Sequence, residues 1–243
     1  MWTATALKSE ARAAHGEIWR VVEHQYTAST RKLVDTQAEQ EILEALLEDS
    51  KPPYPPGTDK LHYLLKTPFR YYPPKPHGSR FRQPGGAEGV FYASEQIRTA
   101  LAEMAYYRLR FFADAPDAKL PDQEQKLTVF NIKYKTKRQI DLTCSPLNRD
   151  QSLWTDPADY AGTHALAEQA RKAAIESIRY GSVRDREQGF NIALLTPIAF
   201  VSKKPLSQQT WYMHIGPAEI STRRAGKSNT ENAYVFAREW FTE

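Results

Sequence analysis

The stretch from Gly78 to Ser94 carries the densest set of groups able to do chemistry. Two arginines, Arg80 and Arg82, precede the glycine-rich turn Gly85-Gly86, and the short apolar run Gly89 to Ala93 then delivers Tyr92. A little further on, Thr99 to Glu103 delivers a carboxylate. Arginine presents a rigid fork of donors that matches a pyrophosphate. Tyrosine offers a ring face for a heterocycle and a hydroxyl for orientation. Each residue also has an ordinary structural role. A glutamate in an alanine-rich helix is usually solvated, and a tyrosine in an apolar strand is usually core.

The elements that must position these groups follow from hydrophobic period. Gly89 to Ala93 reads as a buried strand, and Glu95 to Phe112 as a helix with Ile97, Leu101, Met104, Ala105 and Leu109 at helical spacing and Ser94 as its cap. Upstream, Ala6 to Asp49 reads as two amphipathic helices. Ile18, Val21, Val22 and Tyr26 form one face, Leu33, Val34, Ile42, Leu43, Leu46 and Leu47 another, with a break near Ala28 to Thr30 where Ser29 or Thr30 caps the second helix. Lys51-Pro52-Pro53-Tyr54-Pro55-Pro56-Gly57 stops any helix and stiffens the connection. Downstream, Lys126 to Tyr134 alternates as a strand with Leu127, Val129, Ile132 and Tyr134 inward, and Ile140 to Leu142 pairs nearby. His164 to Tyr180 reads as a helix, while Asn191 to Leu195, Ile198 to Ser202 and Trp211 to Ile215 read as strands. Strands and helices do not alternate regularly, so the expected class is α+β. The expected division is a helical N-terminal extension with its connector over residues 1–57 and a catalytic domain over 58–243.

The chain as a whole sets limits on function. Its 243 residues, 41% of them hydrophobic, suffice for a substantial core. The apolar runs are too short for a membrane span, and the N-terminus lacks the basic and apolar segments of a secretory signal, so a cytoplasmic protein is expected. The single cysteine, Cys144, reads as a small packing residue. The six histidines have no spacing that would assemble a metal site with it, so no metal is expected. Net charge is +4, which suits an anionic ligand; direct nucleic-acid binding is not expected from so modest an excess. Gly85-Gly86 lacks the Lys-Ser or Lys-Thr of a phosphate loop, which argues against nucleoside triphosphate hydrolysis.

Three motifs in order carry a family resemblance: Gly78-Ser79-Arg80-Phe81; Gly89-Val90-Phe91-Tyr92 with Ala100 to Glu103; and Tyr180-Gly181-Ser182-Val183-Arg184 followed by Asn191-Ile192-Ala193-Leu194. Over roughly Tyr63 to Ile215 the chain resembles the RES family of toxins, encoded beside Xre-type antitoxins and named for an Arg, a Glu and a Ser. The resemblance implies a fold similar to the ADP-ribosyltransferase toxins, with NAD+ as substrate in a cleft between two small sheets. The family glutamate falls on Glu103, the tyrosine on Tyr92 and the serine on Ser182. The arginine falls on Arg80 by its flanking Gly and aromatic residue, or on Arg82 by its distance to the tyrosine.

Cleavage of the bond between nicotinamide and ribose develops a cation on the sugar, which a carboxylate stabilises. Glu103 fits that role. By the same resemblance, Arg80 or Arg82 holds the diphosphate, Tyr92 stacks near the nicotinamide ribose, and Ser182 bonds ribose or phosphate. The reaction expected is transfer of ADP-ribose to a cellular protein, because a helical arm adds surface for a protein target. The alternative is hydrolysis or phosphorolysis that depletes NAD+. A third reading, of another class, is a non-catalytic basic module that grips RNA or an acidic protein. The expected partner is an Xre-like antitoxin that inserts a segment into the cleft.

Overall fold

The computed structural model describes residues 2–24, 33–71, 78–86, 88–115, 117, 119–226 and 232–241. A short helix, α1 (Ala4–Glu10), is capped by the Thr3 side chain and leads directly into strand β1 (Arg12–Glu23). β1 corrects the first of the two expected N-terminal helices. The apolar residues Ile18, Val21 and Val22 sit in a ladder against the long strand β3 (Gln125–Asp141), in register from Ala14↔Thr136 to Glu23↔Leu127. β-branched residues are stiff at χ1 and favour the pleated surface, which tips this run toward strand. The expected break at Ala28 to Thr30, its caps Ser29 and Thr30, and Tyr26 lie outside the described residues. The second helix does form, as α2 (Gln37–Asp49), and Thr36 with Glu39 makes the capping box at its start; the single turns α3 (Tyr63–Lys66) and α5 (Gln151–Trp154) come later in the chain.

The sheet has eight strands, ordered β1-β2-β5-β4-β3-β6-β7-β8 with β1 also paired to β3. Its other members are β2 (Phe91–Ser94), β4 (Ser177–Gly181), β5 (Phe190–Leu194), β6 (Ser207–Ile215), β7 (Glu219–Arg224) and β8 (Ala233–Ala237). β3 serves two halves. Its first residues pair with β6, and its last three, Gln139 to Asp141, run parallel to β4. From β4 the ladder passes to β5 and β2, and β2 returns to β1 at Trp19↔Ser94. β1 and β3 thus belong both to this closed half and to the open half that continues through β6, β7 and β8.

The α+β class is as expected, with the N-terminal helical content confined to α1 and α2. Further corrections concern element ends. β3 absorbs the separate segment expected at Ile140. The helix begun at Ala161 stops at Lys172 as α6, and Ile178 and Tyr180 belong to β4 instead. Ala174 takes a left-handed backbone (φ 52) just past the helix and turns the chain. Ile198 to Ser202 is a 3₁₀ turn and bend rather than a strand. Cys144 is exposed, not packed.

Helix α4 (Ile97–Ala113) packs Ala100, Leu101, Ala105 and Tyr106 with Val21, Leu127, Val129, Trp211 and Phe236 in one core. α6 (Ala161–Lys172), together with α1, packs on the opposite half, around Phe81, Ile140, Trp154 and Ile178. A third cluster, including Phe69, Phe91, Phe130, Ile192 and Leu194, fills the space beneath β2 and β5. Paired residues Phe91↔Leu194 and Ala93↔Ile192 contribute to that cluster, while Tyr92↔Ala193 and Ser94↔Asn191 alternate to the other face. That face is where the expected chemistry lies.

Candidate active site

A cavity of about 360 Å³ opens between helix α4 and the strands β1, β2, β4 and β5. It is lined by Arg20 of β1, Tyr92 and Ser94 of β2, Glu103 and Tyr107 of α4, Asn191 of β5, and the loops bearing Arg80, Arg82 and Arg184. Every residue expected from the sequence is within this neighbourhood. Ser182 reaches it through Glu103.

Glu103 is held with care. Ser182 Oγ donates to its Oε1 at 2.7 Å, and Asn191 Nδ2 donates to the same oxygen at 2.7 Å. The Asn191 amide is itself fixed, because Ser94 Oγ donates to its Oδ1 at 2.6 Å. Ser94 and Asn191 are each 2% exposed. A buried amide with its oxygen engaged has one way to point, with its NH₂ at Glu103. Ser94 therefore does not cap α4 as the sequence suggested; Gln96 takes the cap position without a side-chain bond. Ser182 also accepts from the backbone N–H groups of Arg184 (3.2 Å) and Asp185 (3.1 Å), so one hydroxyl both shapes the turn and orients the carboxylate.

Tyr92 is fixed from its far end. Its hydroxyl accepts from the backbone N–H of Phe81 at 3.0 Å and shares a hydrogen bond with Ser79 Oγ, also at 3.0 Å. Burial pushes the phenol above its usual range, which keeps it protonated. Ser79 and Arg82 close a tight turn by mutual backbone bonds, with Arg80 and Phe81 at its tip. A Cβ at Gly78 would lie 2.4 Å from the Arg82 carbonyl, so the turn closes only on glycine.

Both candidate arginines reach the cavity. Arg80 donates to the carbonyls of Trp154 (2.6 Å) and Asp156 (3.0 Å) and lies over the Tyr160 ring. Arg82 donates to the carbonyls of Glu88 and Tyr71, and burial lowers its pKa. The sequence reading missed two more. Arg184, which the sequence presents only as the last residue of a motif, is 4% exposed; it stacks 3.5 Å from the Tyr106 centroid and donates to the Pro157 carbonyl. Asp185 pairs with Arg98.

Arg20 was hidden inside a segment read as helix. It donates to the Tyr92 carbonyl and lies over Phe91, while its Nε is buried without a partner. Burial depresses its pKa to about 10. The available signal was a lone basic residue in the run Ile18-Trp19-Arg20-Val21-Val22, apolar on both sides. Four arginines thus meet one carboxylate in the cavity, each anchored by a backbone carbonyl, which leaves their charge available to an anion. Among the described residues no group of His, Cys, Asp and Glu is arranged to hold a metal ion.

A family model described as the RES domain matches residues 52–215. No curated protein matches the sequence. Among solved structures, the crystal structure of the M. tuberculosis MbcT-MbcA toxin-antitoxin complex matches at 10% identity with a TM-score of 0.47, covering 84% of this chain and 91% of that one. The matched segment begins after β1, so Arg20 lies outside it.

Proposed function

The chain belongs to the RES domain family, and from that premise we propose that it is a toxin that cleaves NAD+ at the bond between nicotinamide and ribose. One observation carries the proposal: a single oriented carboxylate, Glu103, faces a cluster of arginines in a cavity of ligand size. The arginines suit a diphosphate with two negative charges. The carboxylate suits the positive charge that appears on the ribose as the C–N bond breaks and its electron pair leaves with nicotinamide. Nicotinamide departs neutral from a cationic ring, so no proton donor is needed at the leaving group. Because both donors to Glu103 use Oε1, its Oε2 is the oxygen turned to the substrate. Tyr92 contributes a ring wall, and Ser182 acts by holding Glu103.

The ADP-ribosyl cation is captured at C1′ by a nucleophile that then loses a proton. Transfer to a cellular protein was the expectation, on the ground that a helical arm offers recognition surface. The first half of that arm is β1, which builds the cavity wall through Arg20, and this favours the second reading, in which water or phosphate captures the sugar and NAD+ is depleted. Incubation of purified protein with NAD+ labelled in the adenylate half, with and without lysate, separates the two. Label on a protein band establishes transfer; free ADP-ribose or its phosphate ester alone establishes degradation. Glu103→Ala is expected to abolish NAD+ loss and growth arrest. Were both to persist in that variant, the basic-module reading would stand in place of catalysis.

A toxin of this kind requires restraint. The partner we infer is an Xre-like antitoxin whose inserted segment occupies the arginine-lined mouth.

A further inference from the structure

Helix α2 is amphipathic and yet buries none of its residues. Ile42 and Leu46 stand 62% and 63% exposed on one stripe, with Leu47 and Leu33 beside them. A helix of 13 residues is marginal in water without a packed face. Its charge compounds the problem. Glu39, Glu41, Glu44, Glu48 and Asp49 are unrelieved by any base within the helix, and Glu48 and Asp49 sit at the end where the macrodipole is already negative. The capping box stabilises only the first turn, and the two cations that pair with Glu48, Lys51 and Arg70, touch only the last.

A surface of the opposite character lies around the turn between β5 and β6. Ile198, Val201 and Leu206 are exposed apolar residues, at 84%, 60% and 48%. Lys203 and Lys204 are exposed beside them, and Val201 bonds the carbonyl of Lys133, whose side chain continues the basic strip with Lys135 on the outer face of β3. Glu17 and Asp59 are the acids nearby, and Glu17 is engaged by Asn131. The two surfaces hang from one segment. Arg70 ties the end of α2 through Glu48 and the Pro52 carbonyl, and the His62 amide bonds the Lys203 carbonyl.

We propose that α2 docks on the Ile198/Val201/Lys203/Lys204 surface of a second copy of this chain, reciprocally, so that two copies close a dimer. Apolar stripe meets apolar turn, and a helix of carboxylates meets a strip of lysines. Since helix and strip lie along the same segment, one two-fold axis satisfies both contacts and the assembly closes instead of propagating.

Charge exchange with light scattering tests this in full-length protein carrying Glu103→Ala to remove toxicity. The parent is expected at twice its 27.8 kDa chain mass. Ile42→Asp with Leu46→Asp gives a monomer that still unfolds in one cooperative thermal transition, because α2 buries no residue. Glu41→Lys with Glu44→Lys weakens the dimer at least tenfold, as does Lys203→Glu with Lys204→Glu. An equimolar mixture of those two charge variants restores dimer, each helix now facing the opposite charge. A monomeric parent, a dimer indifferent to Ile42→Asp/Leu46→Asp, or a mixture that stays monomeric overturns the proposal. Capture of α2 by an antitoxin would appear as the first of these.

Discussion

Asn191, held by Ser94, shares with Ser182 the task of orienting the Glu103 carboxylate, and both Asn191 and Ser94 also line the cavity. Replacing Asn191 by Leu removes one of two donors to Glu103, and we expect kcat/KM for NAD+ to fall on the order of 10²-fold with KM little changed. Asn191→Asp sets two carboxylates against each other. They must share a proton, so the acid limb of the pH–rate profile moves upward, a response that mere loss of packing would not produce. Ser94→Ala, which frees the amide to turn, should show a milder form of the kcat defect, measured on the same assay. Arg20 gives the opposite limb. Its charged form holds anions, and because burial lowers its pKa to about 10, KM for NAD+ should rise above that pH while kcat stays flat. In Arg20→Gln the KM is already high and no longer changes there. At this scale the sequence pointed to Glu103, Tyr92, Ser182, Arg80 and Arg82 as candidates through their motifs, and the structure brings these side chains to one neighbourhood. The sequence could not show Arg20, Ser94 or Asn191 as one site, because ladder register sets them beside the others, and register is not written in local spacing.

The turn from Ser182 to Gly189 is the element on which the site's precision rests. Asp185, buried, pairs with Arg98 and accepts from Thr99 Oγ1 at 2.7 Å, which locks the turn to the first residues of α4. Breaking such a buried pair from one side leaves Arg98, itself largely buried, with only the exposed Glu187 as partner. Asp185→Ala is therefore expected to cost about 3–5 kcal/mol in chemical denaturation. Gly189→Ala tests the same lock sterically, since its Cβ would lie 2.0 Å from Thr99 Oγ1 and 2.8 Å from Asp185 Oδ2. Loss of activity larger than the loss of stability is the expected pattern for both, because Ser182 moves with the turn. Helix α4 was legible from its 3.6-residue period, and β2 from a short apolar run bounded by glycine. β1 was not. A run that contains both i, i+3 and neighbouring apolar residues fits either period, and only its long pairing with β3 decides the matter. The end of α6 was missed for a related reason: alanine-rich composition carries helix propensity past the point where Ala174 turns the chain.

The sharing of β1 and β3 between the two halves governs the molecule as a whole. Removal of residues 1–24 would strip β3 of one partner and the cavity of Arg20, although the family-matched segment 52–215 stays intact. A fragment starting at residue 52 is expected to lack a cooperative thermal transition and to aggregate through the open strand edge, which circular dichroism and scattering would register. A fragment that melts cooperatively and consumes NAD+ would contradict this. The α+β class was visible from the order of elements, whereas the closed arrangement of β1, β2, β5, β4 and β3 was not, since it depends on pairings far apart in sequence. Those shared strands also constrain how the site is regulated. Two halves joined by an interface can swing apart, but two halves built on the same strands are tied by continuous backbone and ladder hydrogen bonds, so adjustment of the opening falls to the loops that carry Arg80, Arg82 and Arg184. An inhibitor of this protein is then expected to work as a plug gripped by those loops rather than as a wedge.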